Sequence, residues 1–206
     1  MLGDIQISDS DGVFLVNTAR IAVTEFLSNG KKMKLESEHE KKFSFNSGVF
    51  VTLNNTDGLR GCIGFPMPDK KLSHRIIDAA IAAATEDPRF SPVETNELND
   101  IMFEVTVLTP PIEITVTDPM EYLEKIKIGR DGLIIKHSFS SGLLLPQVPV
   151  EYNWSVEEFL QHTCEKAGLE KNTWKNDKVK IEKFEGIVYK EEKPNGQIVR
   201  EETNGS

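Results

Sequence analysis

The sequence predicts an α+β protein in which a β-hairpin followed by a helix occurs twice. Apolar and polar side chains alternate over residues 59–65 and again over 102–108, which is the pattern of half-buried strands. Apolar residues recur at helical spacing over 13–28, and small residues dominate the second half of 71–86. Because short polar turns join neighbouring strands, we expect the sheet to be antiparallel.

The first helix is predicted over residues 13–28, with Asp11 available to cap its start and Gly30 to end it. Residues 43–53 are predicted to be extended, and the polar segment 54–58 is predicted to turn the chain into the next strand. These two strands form the first predicted hairpin.

The second helix is predicted over residues 71–86, where alanines allow close packing against a sheet and Pro88 stops the helix. Residues 118–121 combine a cap, a first-turn proline and a reciprocal acid. They therefore predict a short helix that ends near Lys125.

In the second hairpin, Asp131-Gly132 is predicted to be the turn between residues 126–128 and 133–135. Residues 140–142 are predicted to turn the chain again, into 143–145. The sheet of the second half is thus predicted to begin with a pair of short strands.

A capping box at Ser155 opens the last predicted helix, which Gly168 closes. A closing strand follows over residues 179–189. Few apolar residues remain after it, so we predict a domain of two interleaved repeats or subdomains at 1–190 and a mobile tail at 191–206.

The strand over residues 59–65 carries the most reactive chemistry. Arg60, Cys62 and Gly64 share one face, because side chains alternate along a strand. A guanidinium two residues from a thiol favours the thiolate, which is the nucleophilic form of cysteine. Gly61 and Gly64 leave room for a ligand or for a second backbone. This strand is predicted to form a ligand or catalytic site, and the alternative is a glycine-pinched bend in which Cys62 packs as a small hydrophobe.

Three further charged residues are candidates for the same site. We expect Glu104 to lie near Arg60, either as an acid or base beside Cys62 or in an exposed cross-strand ion pair. Asp87 and Arg89 follow the second helix, and they are predicted either to bind a ligand or to tie their loop to itself.

Several motifs resemble those of the AMMECR family in its prokaryotic form. They are GVFVTL at 48–53, LRGCIG at 59–64, DPRFSP at 87–92, IGRDGL at 128–133, LLLPQV at 143–148, and CEKAGL at 164–169 followed by Trp174. The resemblance runs from Val13 to Tyr189, and the motifs are specific in combination.

The resemblance implies a duplicated α+β unit around a single antiparallel, barrel-like sheet, and it implies no settled activity. Family members are similar to one component of a set that also contains Memo-type and radical SAM proteins, so proteins of these types are implied as partners. Gln147 of the LLLPQV motif joins Gly61, Gly64, Asp87 and Arg89 as a candidate ligand-binding residue.

The composition excludes several classes of function. The formal net charge of −9 disfavours general nucleic-acid binding, and the densest basic run, Lys31, Lys32 and Lys34, is expected to be a solvated loop. Cys62 and Cys164 are the only cysteines and lack metal-binding spacing, so both are predicted to be free thiols. No apolar run approaches the ~20 residues of a membrane helix, and the N-terminus does not resemble a signal peptide, so we expect a cytoplasmic protein. No phosphate loop, dinucleotide fingerprint or zinc motif is present, and no cofactor or metal is predicted.

Three functions remain open from the sequence. In an enzyme, Cys62 would be the nucleophile, Arg60 would stabilise its thiolate or bind an anion, and Glu104 would be the acid or base, although the family-like motifs contain no histidine. A non-catalytic adaptor or binding module would present a cleft to a protein, a peptide or a small anionic ligand while partners do the chemistry. An RNA-associated role is the weakest, because of the negative charge.

Overall fold

The structure is a computed structural model that describes residues 7–176 and 178–201. The described chain divides into two compact units, one formed by residues 7–108 and 187–201 and the other by 109–186. The helices are α1 (Asp9–Asn29), α2 (Ser37–Lys42), α3 (Leu72–Thr85), α4 (Tyr122–Lys125), α5 (Gln147–Glu151) and α6 (Val156–Lys166), with 3-10 turns at Thr95–Asn99, Pro119–Glu121 and Thr173–Lys175. The strands are β1 (Val49–Asn55), β2 (Gly58–Phe65), β3 (Met102–Leu108), β4 (Ile112–Glu113), β5 (Asp131–His137), β6 (Ser140–Leu144), β7 (Lys180–Glu191) and β8 (Ile198–Glu201).

The predicted α+β class with antiparallel pairing is confirmed. The first unit contains the hairpin β1–β2 followed by α3, and the second contains the hairpin β5–β6 followed by α5 and α6. In the first unit the strand order is β2-β1-β3-β7, with β8 also on β7. In the second it is β7-β5-β6, with β4 also on β7, so β7 contributes residues to both units.

The first helix begins one turn earlier than predicted, because its cap is Ser8 and not Asp11. The Ser8 hydroxyl accepts a hydrogen bond from the Asp11 backbone N–H at 3.3 Å, and the Asp11 carboxylate accepts one from the Ser8 N–H at 3.1 Å. Gly30 ends the helix at a φ of 68°, as predicted.

Two helices of the first unit cover one face of its sheet. On that face Val51 and Leu53 of β1 and Phe103 and Val105 of β3 are buried against α1 and α3. The alanines of α3 are also buried, which confirms that this helix approaches the strands closely. None of the helices in the described part of the chain is both long enough and apolar enough to cross a membrane.

The second hairpin turns later than predicted. Asp131 and Gly132 are the first residues of β5, and the chain turns at Ser138, which has a φ of 54°. Asp131 is completely buried and accepts hydrogen bonds from the guanidinium of Arg130, with Nε at 2.8 Å. The acidic side chain therefore belongs to an ion pair within the sheet, and residues 126–128 form no strand.

The segment predicted to be a mobile tail from residue 191 contains secondary structure. Glu191 is the last residue of β7 and is only 4% exposed, and β8 pairs with β7. Ile198 of β8 packs against the apolar core of the first unit. Strand pairing therefore extends to Glu201, while residues 202–206 of the predicted tail lie outside the described residues.

Candidate functional site

Cys62 lies in a row of polar side chains that crosses three strands of the first unit. In the antiparallel register Cys62 of β2 is opposite Thr52 of β1, and Thr52 is opposite Glu104 of β3. All three side chains are half-buried. Their strand neighbours point to the other face, where α1 and α3 pack. We call Cys62, Thr52 and Glu104 the polar row.

Burial acts against the thiolate form of Cys62. Burial raises its pKa above the ordinary value of 9.0, while the hydrogen bond with Thr52 and then the positive charge of Arg89 act in the opposite direction. The Thr52 Oγ1 lies 3.3 Å from the Cys62 Sγ. The cation that opposes this rise in pKa is Arg89, whereas the predicted stabilisation of a thiolate by Arg60 stays a prediction.

Arg60 is held by a different acidic residue from the one expected. Its Nε lies 2.8 Å from the Oε1 of Glu97 and its Nη2 lies 3.0 Å from the Oε2, while Nη1 donates to the carbonyl of Ser91 at 2.9 Å. A bulge leaves Arg60 without a partner on β1, so the strict alternation assumed from the sequence fails here. The predicted contact with Glu104 is not formed, and Arg60 instead ties β2 to the segment around the first 3-10 turn.

Asp87 and Arg89 form hydrogen bonds with the backbone of Cys62 on the outer edge of β2. The Asp87 Oδ2 accepts a hydrogen bond from the Cys62 backbone N–H at 2.8 Å, and Arg89 Nη2 donates to the Cys62 carbonyl at 3.3 Å. Arg89 also binds Asp87 directly, with Nη2 and Oδ2 2.7 Å apart. This pairing is the main reason why the pKa of Asp87 lies well below its usual range. The loop is thus tied to itself, as one alternative predicted, yet the Arg89 side chain remains 54% exposed.

The room beside the two glycines is already occupied. A Cβ at Gly61 would overlap the backbone carbonyl oxygen of Ala83 in α3, and a Cβ at Gly64 would overlap the ring of Phe50. The absence of a side chain at Gly61 is thus explained by a close second backbone. Gly64 allows an aromatic ring to cover the strand.

The remaining predicted residues belong to the second unit. Gln147 is the first residue of α5 and is exposed there, and its role in ligand binding stays a prediction. Cys164 is completely buried in α6, as predicted, and burial raises its pKa to about 11.

Sequence reasoning missed Thr52. It also missed Glu201 and Lys190, the two charged residues that act on the pKa of Glu104. Alternation along β1 places the Thr52 side chain on the other sheet face from the buried Val51. A prediction of the hairpin register would therefore have paired Thr52 with Cys62. Burial raises the pKa of Glu104, with Glu201 adding to the rise and Lys190 opposing it. Across residues 7–176 and 178–201, no three His, Cys, Asp or Glu side chains are grouped as metal ligands.

The sequence profile of the AMMECR1 family matches residues 16–189. The chain belongs to the AMMECR1 family. It is 50% identical over 191 residues to protein MJ0810 of Methanocaldococcus jannaschii, and the alignment covers 92% of this chain and 94% of that protein. It is 48% identical over 191 residues to protein MK0488 of Methanopyrus kandleri, covering 91% of this chain and 92% of that protein.

A solved structure supports the same assignment. The crystal structure of the uncharacterized protein PH0010 from Pyrococcus horikoshii is similar with a TM-score of 0.80 and 46% sequence identity, and the match covers 95% of this chain and 98% of that one. The predicted resemblance to this family is therefore confirmed.

Alkylation should distinguish the two cysteines of this AMMECR1-family protein. We expect iodoacetamide to modify Cys62 before Cys164 in the native state, because Cys62 is half-exposed and Cys164 is fully buried. The rate at Cys62 should rise with pH up to and beyond 9.0, because only the thiolate reacts and burial raises the pKa. A time course at several pH values, read by mass spectrometry, measures both rates.

Two arginine variants test which cation acts on Cys62. Arg89→Ala should shift the apparent pKa of Cys62 upward and slow its labelling, whereas Arg60→Ala should leave that pKa unchanged because Glu97 holds Arg60. For the comparison of the two cysteines, the contradicting result is that both are labelled at one slow rate and only on unfolding, since Cys62 is the more accessible of the two.

Proposed function

We propose that this AMMECR1-family protein is a cytoplasmic binding protein whose small ligand or substrate contacts the polar row. The observation that carries the proposal is the single register row of Cys62, Thr52 and Glu104 on the sheet face opposite α1 and α3. In ligand sites a small number of placed polar groups fix the orientation of the ligand through hydrogen bonds, and the polar row offers three such groups on one face.

The row offers complementary hydrogen-bonding groups. The thiol of Cys62 and the hydroxyl of Thr52 each donate and accept. The pKa of Glu104 is raised by burial, so its carboxyl takes up a proton more readily than an exposed one and is able to donate as well. Arg89 adds an exposed guanidinium close enough to influence the thiol. A ligand with carbonyl or hydroxyl groups and one anionic group fits this set.

Binding is favoured over nucleophilic catalysis by Cys62. Burial raises the pKa of the thiol and so acts against the nucleophilic thiolate, and the two histidines of the first unit are engaged elsewhere: His39 stacks on Phe14 at 4.0 Å, and His74 lies 3.6 Å from Glu40. The raised pKa of Glu104 favours one enzymatic alternative, in which Glu104 is the acid or base for a bound substrate. Proteins of the Memo or radical SAM types, implied by the family resemblance, would be the partners that act on the bound molecule.

Ligand-observed NMR tests the proposal. The probes are acetate, phosphate, small hydroxy acids and small amides, added to the wild-type protein, Cys62→Ser, Glu104→Gln and the control Glu25→Gln. Glu25 carries the same charge but is exposed on α1. We expect at least one probe class to bind the wild type and Glu25→Gln, and to bind Glu104→Gln about ten-fold more weakly, since hydrogen bonds to charged or polarised groups are worth roughly 1.5–3 kcal/mol.

Two results would contradict a site at the polar row. One is equal binding by all four proteins, and the other is no binding of any probe to the wild type. A stoichiometric protein that co-purifies equally with the wild type and with Glu104→Gln would favour the adaptor alternative.

A further inference from the structure

We propose that the first unit holds a second binding site, for a small apolar molecule that carries an anionic group. The site is a pocket of about 390 Å³ between the segment that joins α1 to α2 and the first turns of α3. Its size lies in the range of small-molecule sites. The proposal is independent of the polar row, whose three residues do not line this pocket.

One wall of the pocket is apolar. Met33 and Leu35 contribute to it from the α1–α2 segment, and Ile77 contributes from α3. Met33 and Leu35 are partly exposed, while Ile77 is 3% exposed and belongs to the core of the first unit. An apolar ligand body packed against these side chains would remove more of their surface from water, which is favourable.

A buried hydroxyl at the pocket lacks a hydrogen-bond partner. Ser73, in the first turn of α3, is 1% exposed and lines the pocket, and its Oγ has no partner among the described residues. Buried polar groups in native proteins are nearly always hydrogen-bonded, so an orphaned one indicates a missing partner. The Oγ itself is closed to solvent, so an oxygen of a bound ligand would supply that partner once the hydroxyl turns toward the pocket.

The charges around the pocket favour an anion. Two of the three charged side chains that line the pocket, Lys32 and Lys34, are cations, and the third is Glu40. Lys32 forms an ion pair with Asp78, while the Glu40 carboxylate lies 3.6 Å from the His74 ring, which compensates it only when the ring is protonated. Lys34 lines the pocket too, and among the described residues no carboxylate lies within ion-pair distance of it. An anionic group on the ligand would therefore find an uncompensated ammonium there. The basic run expected to be a solvated loop thus gains a specific role for Lys34.

Sodium octanoate is a suitable probe, because it combines an aliphatic chain with a carboxylate. In a protein with 13C-labelled methionine and isoleucine methyl groups, we expect octanoate to shift the resonances of Met33 and Ile77. Octanol, which has the same chain without the charge, should bind more weakly. If octanoate at millimolar concentration shifts neither resonance, or if octanol binds as tightly as octanoate, the proposal is overturned.

Matched variants test the two polar contacts. Lys34→Ala should weaken octanoate binding about three-fold or more, as expected for loss of a partly exposed ion pair. Lys31→Ala removes the same charge from an exposed residue outside the pocket and should leave the affinity unchanged. Ser73→Ala should weaken binding without lowering the stability of the free protein, because the hydroxyl has no partner there. Equal affinities for Lys34→Ala and Lys31→Ala, or an unchanged affinity for Ser73→Ala, would overturn the assigned contacts.

Discussion

Replacing Arg20 by alanine is expected to lower the free energy of unfolding by about 3–5 kcal/mol, the range for removing one partner of a buried ion pair. The guanidinium binds Glu191 through two parallel contacts, with Nε 2.8 Å from Oε1 and Nη2 2.5 Å from Oε2. It also donates to the carbonyls of Leu98 at 3.1 Å and Ile101 at 2.6 Å. The side chains of Arg20 and Glu191 are 12% and 2% exposed, so the variant would leave a buried carboxylate without its cation.

Urea unfolding followed by circular dichroism would measure this loss, and a neighbouring ion pair provides the control. Lys190 lies 2.6 Å from Glu201, but these side chains are 38% and 44% exposed. Lys190→Ala should therefore cost at most about 1 kcal/mol, as for other surface pairs. Similar losses for the two variants would contradict the special position of Arg20.

Local signals predicted four of the six helices and the first hairpin, but not the short helices α2 and α5. Gly30 ends α1 and the capping box at Ser155 opens α6, because both signals act within one helical turn. The burial of Cys164 followed from its place on the apolar stripe of α6. These features depend on residues close together in sequence, so no knowledge of the tertiary structure was needed.

Features that depend on distant partners were not predictable in the same way. Glu191 looked like part of a polar tail, but its partner Arg20 precedes it by 171 residues. Asp131-Gly132 has the composition of a tight turn, yet both residues pair in β5 with Glu185 and Phe184 of β7, more than fifty residues away. In both cases a long-range or buried contact overrode the local preference.

The candidate site was predicted in part. Placing Cys62 and Glu104 on the less apolar face of their strands was correct, and their connection through Thr52 follows from the register. The bulge at Arg60 could not be seen in the alternation pattern, because glycines and polar residues fit either face. The sequence therefore pointed to Arg60 as the cation beside the thiol, whereas the tertiary structure brings the Arg89 guanidinium to 3.3 Å from the Cys62 carbonyl oxygen.

The replacement of Gly61 by valine should lower the free energy of unfolding by about 3 kcal/mol, the upper end of the usual cost of overpacking. The added Cβ would overlap the carbonyl oxygen of Ala83, which is part of the α3 backbone and cannot rotate away as a side chain does. The gain in strand propensity from valine, about 1 kcal/mol at most, offsets only part of this cost. The strand and the helix must therefore move apart.

Gly64→Val is the matched control for Gly61→Val, because the same side chain is added three residues along the same strand. There the added Cβ would meet the ring of Phe50, which is only half-buried and is able to turn toward solvent. We therefore expect a smaller loss, about 1–2 kcal/mol, measured for both variants by urea unfolding. A larger loss for Gly64→Val would contradict the close approach of β2 to α3. If Gly61→Val lowers stability but still binds the NMR probes like the wild type, Gly61 positions the strand and does not contact the ligand.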